Sequence, residues 1–542
     1  MLRHLVEKLV RESIERLEIE EIPPFKVEIP DVKFGDYSTN AAFLLAKYLK
    51  KNPREIAVEL SAEIKKDISV KNVTVAGPGF INIELADEIY LKSVEELDRN
   101  RGFWKLEPEI AVQFEFGSAN PTGPFTIGHG RQLVYGDVLC RIFSARGYRV
   151  QREMYINDAG RQIRLLGRSL WVRYNQLFGM EVSLPEDGYQ GEYLIEIAKE
   201  IQSEFNDRFV GIWDEEVHEF FSNFALNKML DSMKETLNKL DVKFDSQFSE
   251  KSLVADGTVD RVLKILKNRD LLYEKDGALW FKVSRFVDDK DKVVVRSDGT
   301  HTYFLTDIAY HLNKYERGFQ RAFDIWGSDH MGHIPRMKAA LVALGVPEDF
   351  LQVIIHQYVN IKQGGEVVKM STRKGTFSTL DELLEAAGVD ATRYFFAMFD
   401  PDTHMLFDLD LAKKKSNENP VFYVQYAHAR ISSIFRTAMD KGITMKEIPL
   451  NYEFAIEEKN LIKLVFDFPA ILDSIIEDFK VNRLTNYLET LAATFHAFYN
   501  KHLVVDPENP GRSSLRLKLC EITRNIIADG LQLLGVSAPE SM

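Results

Sequence analysis

Two short stretches of this chain carry residue types suited to handling a polyphosphate. The first, Asn120-Pro-Thr-Gly-Pro-Phe-Thr-Ile-Gly-His-Gly-Arg131, lies between a β pattern, in which Val112, Phe114 and Phe116 alternate, and a helical pattern from Arg131 in which Leu133, Val134, Val138, Leu139, Ile142 and Phe143 recur. Glycines at such a handover let a phosphate approach the backbone, helix amides favour an anion there, and His129 can donate to phosphate oxygens. A Gly-His pair in a plain turn would look the same. The second stretch, Lys369-Met-Ser-Thr-Arg-Lys-Gly375, gathers Lys369, Arg373 and Lys374 within six residues, between Gln363-Gly-Gly365 and Gly375. A solvated charge run is the ordinary reading of such a segment. Downstream of a strand-turn-helix phosphate site it reads instead as a basic loop able to close over a triphosphate.

The elements that must position these residues fall into three blocks. At 542 residues and 45% hydrophobic content the chain should fold as several domains with substantial cores. Residues 1–105 mix helix, turn and strand signals around Phe34-Gly-Asp-Tyr-Ser-Thr-Asn40 and Ala76-Gly-Pro-Gly-Phe-Ile-Asn-Ile83. Residues 106–410 alternate strand and helix as an α/β fold with a doubly wound, parallel, Rossmann-like sheet does, interrupted by a charged helical insertion at about 165–240. Residues 411–542 are almost wholly helical, so an α+β first block and an all-α last block flank the α/β centre. Two cysteines, Cys140 and Cys520, exclude a disulfide framework and a cysteine-based zinc site. Residues 1–21 set Leu2, Leu5, Val6, Leu9, Val10, Ile14 and Leu17 on one helical face among many charges, unlike a signal peptide or a membrane span; a cytoplasmic protein is expected. The net charge of -13 argues against a nonspecific nucleic-acid binder while permitting basic residues clustered on one face.

Together the two stretches resemble the paired nucleotide signatures of class I aminoacyl-tRNA synthetases, written His-x-Gly-His and Lys-Met-Ser-Lys-Ser. Motifs in all three blocks are similar to those of one branch, the arginyl-tRNA synthetases. They are Gly-Asp-Tyr-Ser-Thr-Asn and Ala-Gly-Pro-Gly-Phe-Ile-Asn in the first block, and Ser297-Asp-Gly-Thr-His-Thr-Tyr-Phe-Leu-Thr-Asp-Ile-Ala-Tyr-His311 in the second. Tyr423-Val-Gln-Tyr-Ala-His-Ala-Arg430 and Leu533-Leu-Gly-Val-Ser-Ala-Pro-Glu-Ser-Met542 complete the match in the third. The resemblance implies a ligase that joins L-arginine to ATP as arginyl-adenylate and then to the 2′-hydroxyl of the terminal adenosine of tRNA(Arg). Magnesium would arrive with ATP as part of the substrate, with no protein-bound metal, and a monomer without membrane contact is expected.

The same resemblance distributes roles. ATP would meet Thr126, Gly128, His129, Gly327, Asp329, Lys369, Met370 and Ser371, with His129, Lys369, Arg373 and Lys374 stabilising charge in the transition state. Arginine would meet Glu115, Ser118, Asn120, Glu250, Tyr303, Asp307 and His330. A guanidinium needs acceptors arranged around a planar fork, and Tyr303 and Asp307, four apart, fall on one helical face. Without the family match, an Asp and a Tyr at that spacing are equally a cap and a core aromatic. Asn120 is equally a turn residue before Pro121, and Asp329, His330 and His333 admit a metal-site reading that lacks a fourth ligand. For tRNA, Phe80 and Asn82 would meet the elbow in the first block, and Tyr423, Tyr426 and Arg430 the anticodon in the third, through stacking of splayed bases. Two signature positions depart from the family: Thr126 replaces the first histidine and Thr372 the second lysine. Two alternatives stay open on the sequence: a class I ligase for another amino acid, cysteine being the nearest, and a synthetase-like RNA-binding protein without catalysis.

Overall fold

The computed structural model describes residues 2–17, 22–158, 160–368, 379–443, 445, 449 and 451–542. At its centre is a five-stranded sheet of β1 (Leu106–Glu115), β2 (Arg146–Ile156), β3 (Ser246–Ser249), β4 (Arg321–Gly327) and β5 (Leu351–His356). The strands lie in the order β5-β4-β1-β2-β3 and every neighbouring pair is parallel. Parallel strands need crossovers, and the last five residues of β1 are buried without alternation, as a sheet covered on both faces requires. From β1 the chain winds outward through β2 and β3, then returns to the other side of β1 to lay down β4 and β5. That reversal is a topological switch point between β1 and β4, and a crevice opens at the carboxyl ends of such strands.

Helix α1 (Ile127–Ala145) carries the chain from β1 to β2. Three helices, α2 (Arg161–Leu177), α3 (Tyr193–Phe205) and α4 (Glu215–Lys239), form the insertion between β2 and β3. They enclose a core of their own around Leu170, Tyr174, Ile197, Phe209 and Phe221. Helix α5 (Tyr303–Glu316) precedes β4. The amino-terminal block is a four-stranded antiparallel sheet with helices Leu2–Glu15, Ala41–Leu49, Pro53–Ile64 and Asp87–Arg99. The carboxy-terminal block packs α6 (Pro420–Asp440), α7 (Ile456–Asp478), α8 (Asn482–Lys501) and α9 (Pro510–Leu534). One continuous core runs from Leu2 through Phe114 and Leu133 to Leu534, so all three blocks share it.

Helix α1 begins four residues earlier than the hydrophobic pattern predicts, at Ile127 rather than Arg131, because Thr126 caps it. Gly128 and Gly130 therefore sit in its first turn. A Cβ on Gly130 would come within 2.5 Å of Leu380 Cδ1, whereas one on Gly128 would meet only Thr126 Oγ1 at 3.8 Å. Gly130 serves packing, and Gly128 leaves the helix end open to a ligand.

Candidate active site

Thr126 and His129 close the first turn of α1 reciprocally. The Thr126 hydroxyl accepts from the His129 amide at 3.4 Å, and His129 Nδ1 accepts from the Thr126 amide at 3.1 Å. An accepting Nδ1 leaves the proton on Nε2, so the ring presents a donor on its other side. Burial holds the imidazole below its usual range, which keeps it neutral at pH 7. Arg131, fully buried, donates to three carbonyls at 2.8–3.0 Å: Gln357 and Thr403 from Nη1, and Asp400 from Nη2. It thereby locks α1 against the segment beyond β5.

The basic stretch, with Lys369, Met370, Ser371, Thr372, Arg373 and Lys374, lies outside the described residues. Its two flanks are described. On one side Glu366–Val368 pairs antiparallel with Val359–Gln363. On the other, Thr379 bridges Thr126, and the Leu380 amide donates to the Phe125 carbonyl at 2.8 Å. The described chain thus resumes at the cap of α1.

Tyr303 and Asp307 sit one turn apart on α5, Tyr303 being 57% exposed. Asp307 Oδ2 accepts from His333 Nε2 at 3.1 Å, and His333 Nδ1 accepts from Arg336 Nε at 2.9 Å, which fixes the ring's tautomer. Glu250 is buried at the start of the short helix that follows β3. Burial pushes its carboxyl up to about 7, and the charges of Asp307 and Asp158 add to the rise. Asp158, just past β2, accepts from Ser249 Oγ at 2.6 Å. The Tyr155 phenol is raised by burial and then by Glu250, Asp307, Glu115 and Asp158, so its hydroxyl feels all four carboxylates. Three acids at the carboxyl ends of the sheet, near an exposed tyrosine, give this end of the sheet a negative character suited to a cation. The sequence indicated Glu250, Tyr303 and Asp307. It missed Asp158, whose signal was its place at a strand's carboxyl end, and it read His333, which bonds Asp307, only as a possible metal ligand.

Beneath the pocket lies a buried ionic cluster. Lys314 Nζ donates to Glu115 Oε2 at 2.6 Å and to Asp324 Oδ1 at 2.7 Å, and His311 Nε2 stands 2.6 Å from Asp324 Oδ2. Burial raises the Glu115 carboxyl against the pull of Lys314, while Lys314 and His311 outweigh burial to hold Asp324 below its ordinary range. Among the described residues, Glu115, His311 and Asp324 form the one group with metal-ligand spacing. The Lys314 ammonium already bonds both carboxylates, so the cluster's positive charge comes from the chain. Ser118 Oγ donates to Glu115 Oε1 at 3.1 Å and accepts from the Tyr155 amide at 3.2 Å. Glu115 thus has both oxygens engaged and supports the site from below, whereas Ser118 and Asn120 are exposed at its rim.

Gly327 ends β4 and begins the 3-10 turn Ser328–His333 that carries Asp329 and His330. A Cβ there would lie 2.6 Å from Asp329 Oδ1, so glycine allows the aspartate to fold back over the strand end. Asp329 and His330 are both exposed. At the end of β5, His356 is held down to about 4 by burial, with Arg131 and His129 contributing and Asp329 opposing. His129 and Asp329 therefore flank one region across the switch point. His333 bonds Asp307 and Arg336, and among the described residues it forms no ligand-spaced group with Asp329 and His330.

The expected RNA contacts divide. Phe80, 45% exposed, opens a strand and packs edge-on against Phe43 at 4.9 Å between ring centres. Asn82 lies mid-strand between Ser38 and Thr74 on the neighbouring strands and is 4% exposed. On α6, Tyr423 and Tyr426 lie 5.2 and 5.9 Å from the His496 ring of α8, and Arg430 lies over Tyr426 and Tyr499 at 5.5 and 4.7 Å. Sequence reading missed His496 and Tyr499, which come from another helix.

Residues 4–85 match the family model described as arginyl tRNA synthetase N terminal domain, residues 97–406 the tRNA synthetases class I (R) catalytic domain, and residues 424–542 the DALR anticodon binding domain. The chain is 56% identical to an arginine–tRNA ligase of Thermotoga maritima over 547 aligned positions covering all of both chains. It is 45% identical to arginine–tRNA ligase 1 of Halalkalibacterium halodurans, over 96% of this chain and 95% of that one. The fold is similar to that of Thermus thermophilus arginyl-tRNA synthetase, with a TM-score of 0.76 at 24% identity, each chain covered in full. On these matches, over a fold with a switch-point crevice, the chain belongs to the arginyl-tRNA synthetase family of class I aminoacyl-tRNA synthetases.

Proposed function

We propose that this chain activates L-arginine with ATP and esterifies it to the 2′-hydroxyl of the terminal adenosine of tRNA(Arg), acting as a monomer in the cytoplasm. The observation that carries the reading is the gathering of Glu250, Asp307 and Asp158 beside Tyr303 at the carboxyl ends of the sheet. A guanidinium would bring a positive charge to these acids and a planar fork of five donors. With the side chain held there, the arginine carboxylate points back toward Ser118, Asn120 and the open end of α1. An oxygen of that carboxylate attacks the α-phosphorus of ATP, and the bond to pyrophosphate breaks. The 2′-hydroxyl then attacks the acyl carbon, AMP leaves, and the hydroxyl proton passes to solvent.

No protein nucleophile is needed, so the residues act by position and charge. His129 Nε2–H and the amides around Gly128 serve the phosphate oxygens. Lys369, Met370, Ser371, Arg373 and Lys374 close over the pyrophosphate, Arg373 and Lys374 making up the charge that Thr372 lacks. Magnesium enters bound to ATP and belongs to the substrate. Gly327, Asp329 and His330 hold the ribose side, Phe80 stacks at the tRNA elbow, and Tyr423, Tyr426 and Arg430 face the anticodon with His496 and Tyr499. The test is charging of total tRNA with each proteinogenic amino acid in turn. Arginine alone should be esterified; cysteine or lysine in its place, or no product, overturns the reading.

A further inference from the structure

Toward the carboxyl ends of three neighbouring strands runs a row of buried acids. Asp324 of β4, Glu115 of β1 and Glu153 of β2 hold one register position on adjacent parallel strands. Partners in a parallel register project to the same face, so three carboxylates stand side by side in the interior, where like charges repel. Helix α5 answers each of them. Arg317, just past its end, bonds both oxygens of Glu153 at 2.6 and 2.8 Å, and the Tyr310 hydroxyl adds a bond to Glu153 at 2.7 Å. His311 Nδ1 faces the Asp307 carbonyl at 2.7 Å, and because a carbonyl only accepts, that nitrogen carries a hydrogen. The 2.6 Å between His311 Nε2 and Asp324 Oδ2 then needs a proton of its own, and with it the pair has no net charge. The charge of Lys314 is left for Glu115.

Lys314 is fully buried, with Nζ 2.6 Å from Glu115 Oε2, 2.7 Å from Asp324 Oδ1 and 4.4 Å from the Tyr310 ring centre. Burial raises the Glu115 carboxyl and Lys314 is the largest pull against the rise, so the charge on Glu115 leans on this one ammonium. Of the three carboxylates Glu115 is the one that reaches the surface, its side chain 9% exposed against none for Asp324 and Glu153. Its Oε1 accepts from Ser118 Oγ at the rim, and a carboxylate oxygen has room for a second donor.

We propose that Lys314 is a positioning residue for the α-ammonium of the amino-acid substrate: it holds Glu115 ionised and fixed beside Ser118, where that ammonium docks. With the guanidinium set against Glu250 and Asp307 and the carboxylate turned to the open end of α1, the α-ammonium is the remaining charge on arginine, and Glu115 is the acid beside Ser118. Tyr303 and Asp307 stand in the first two turns of α5 and Lys314 in its last, so one helix sets the acceptors for both positive ends of the substrate. Lys314 itself lies out of the substrate's reach and acts through Glu115. The inference rests on the arginine-charging reading above.

The experiment titrates full-length enzyme with arginine, with agmatine, which keeps the ammonium and lacks the carboxylate, and with the desamino analogue of arginine, which lacks the α-nitrogen. Lys314→Met should raise Kd for arginine and for agmatine roughly ten- to a hundredfold, the worth of one charge-assisted bond, and leave Kd for the desamino analogue and KM for ATP within about twofold. Glu115→Gln should show the same pattern. The double variant Lys314→Met with Glu115→Gln removes both charges of the pair, so no carboxylate is stranded by it, and should bind arginine no worse than Glu115→Gln alone, because Lys314 then has nothing to act through. Where Lys314→Met does not fold, that comparison carries the test. Equal losses for arginine and its desamino analogue would mean that Lys314 serves the fold and not the ammonium, and would overturn the proposal. A double variant whose loss is the product of the two single losses, or one weaker than Glu115→Gln for the desamino analogue, overturns it as well. Failure of the wild type to bind or charge arginine would sink the parent reading instead, whatever the variants do.

Discussion

Asp307 has one oxygen on His333 and a side chain 36% exposed, so it can meet a guanidinium without giving up its support. Replacing it by Asn keeps an oxygen for His333 Nε2–H and removes the charge. A charge-assisted bond is worth about 1.5–3 kcal/mol, so Asp307→Asn should raise KM for arginine roughly ten- to a hundredfold. KM for ATP should move by less than about twofold, and equal effects on the two substrates would remove Asp307 from the pocket. Glu250 sets a pH dependence. Its folded carboxyl, at about 7, lies above the ordinary range, so the protonated form is favoured in the empty site. A raised carboxyl stabilises the fold below its unfolded pKa and loses that contribution as pH rises toward 7. Arginine selects the ionised form, so KM for arginine should climb as pH falls below about 7, by as much as tenfold per unit, while stability of the free enzyme moves the opposite way. A flat arginine KM between pH 5.5 and 7.5 would show that Glu250 does not face the substrate's charge.

At the scale of elements, the start of α1 explains how the family's first signature tolerates Thr126. The threonine is an N-cap whose partner in the capping box is His129, so helix end and phosphate donor are set by the same pair of bonds. Thr126→Ala should cost about 1 kcal/mol of stability. Because the backbone amide that orients Nδ1 remains, kcat should fall less than about tenfold, and Thr126→Ser should restore both; a larger loss from Thr126→Ala than from His129→Ala would assign the hydroxyl a direct role. The same scale separates what sequence could reveal from what it could not. Helical spacing puts Tyr303 and Asp307 on one face, but it was the resemblance of the surrounding segment that singled them out. Lys314, on that helix one turn after Tyr310, was not legible, since a lysine buried between two carboxylates spells the same as one in water. Asp158 escaped because it joins Glu250 and Asp307 only through the parallel order of β2, β3 and β4, which is tertiary. Asn82 was singled out by the family resemblance alone; its burial between two neighbouring strands, where Phe80 opens the strand, is a tertiary fact.

At the scale of the molecule, helix α7 fastens the two outer blocks together. Lys459, Lys463 and Asp467, four apart on one face, reach Asp87 at 2.7 Å, Asp36 at 3.2 Å and Arg3 at 2.8 Å, all in the amino-terminal block. Lys463 and Asp36 are almost fully buried, and Asp36 also accepts from the Leu85 amide at 2.9 Å inside that block's sheet. Burial lowers the Lys463 ammonium in spite of Asp36 beside it, so desolvation outweighs their attraction. Such a pair selects one docking geometry more than it adds stability, and it is costly to break by halves. With one core running through all three blocks, the amides of Phe80–Leu85 should exchange with solvent at the same free energy as those of α7. Lys463→Met strands the Asp36 carboxylate at a cost of about 3–5 kcal/mol. The amino-terminal amides should then exchange a hundredfold to a few thousandfold faster, ahead of α7. Adding Asp36→Leu to Lys463→Met removes the orphaned charge and should recover most of the protection. If the amino-terminal amides of the unmodified chain already exchange faster than those of α7, the two blocks open independently, and the ion pairs along α7 only align surfaces that the core does not join.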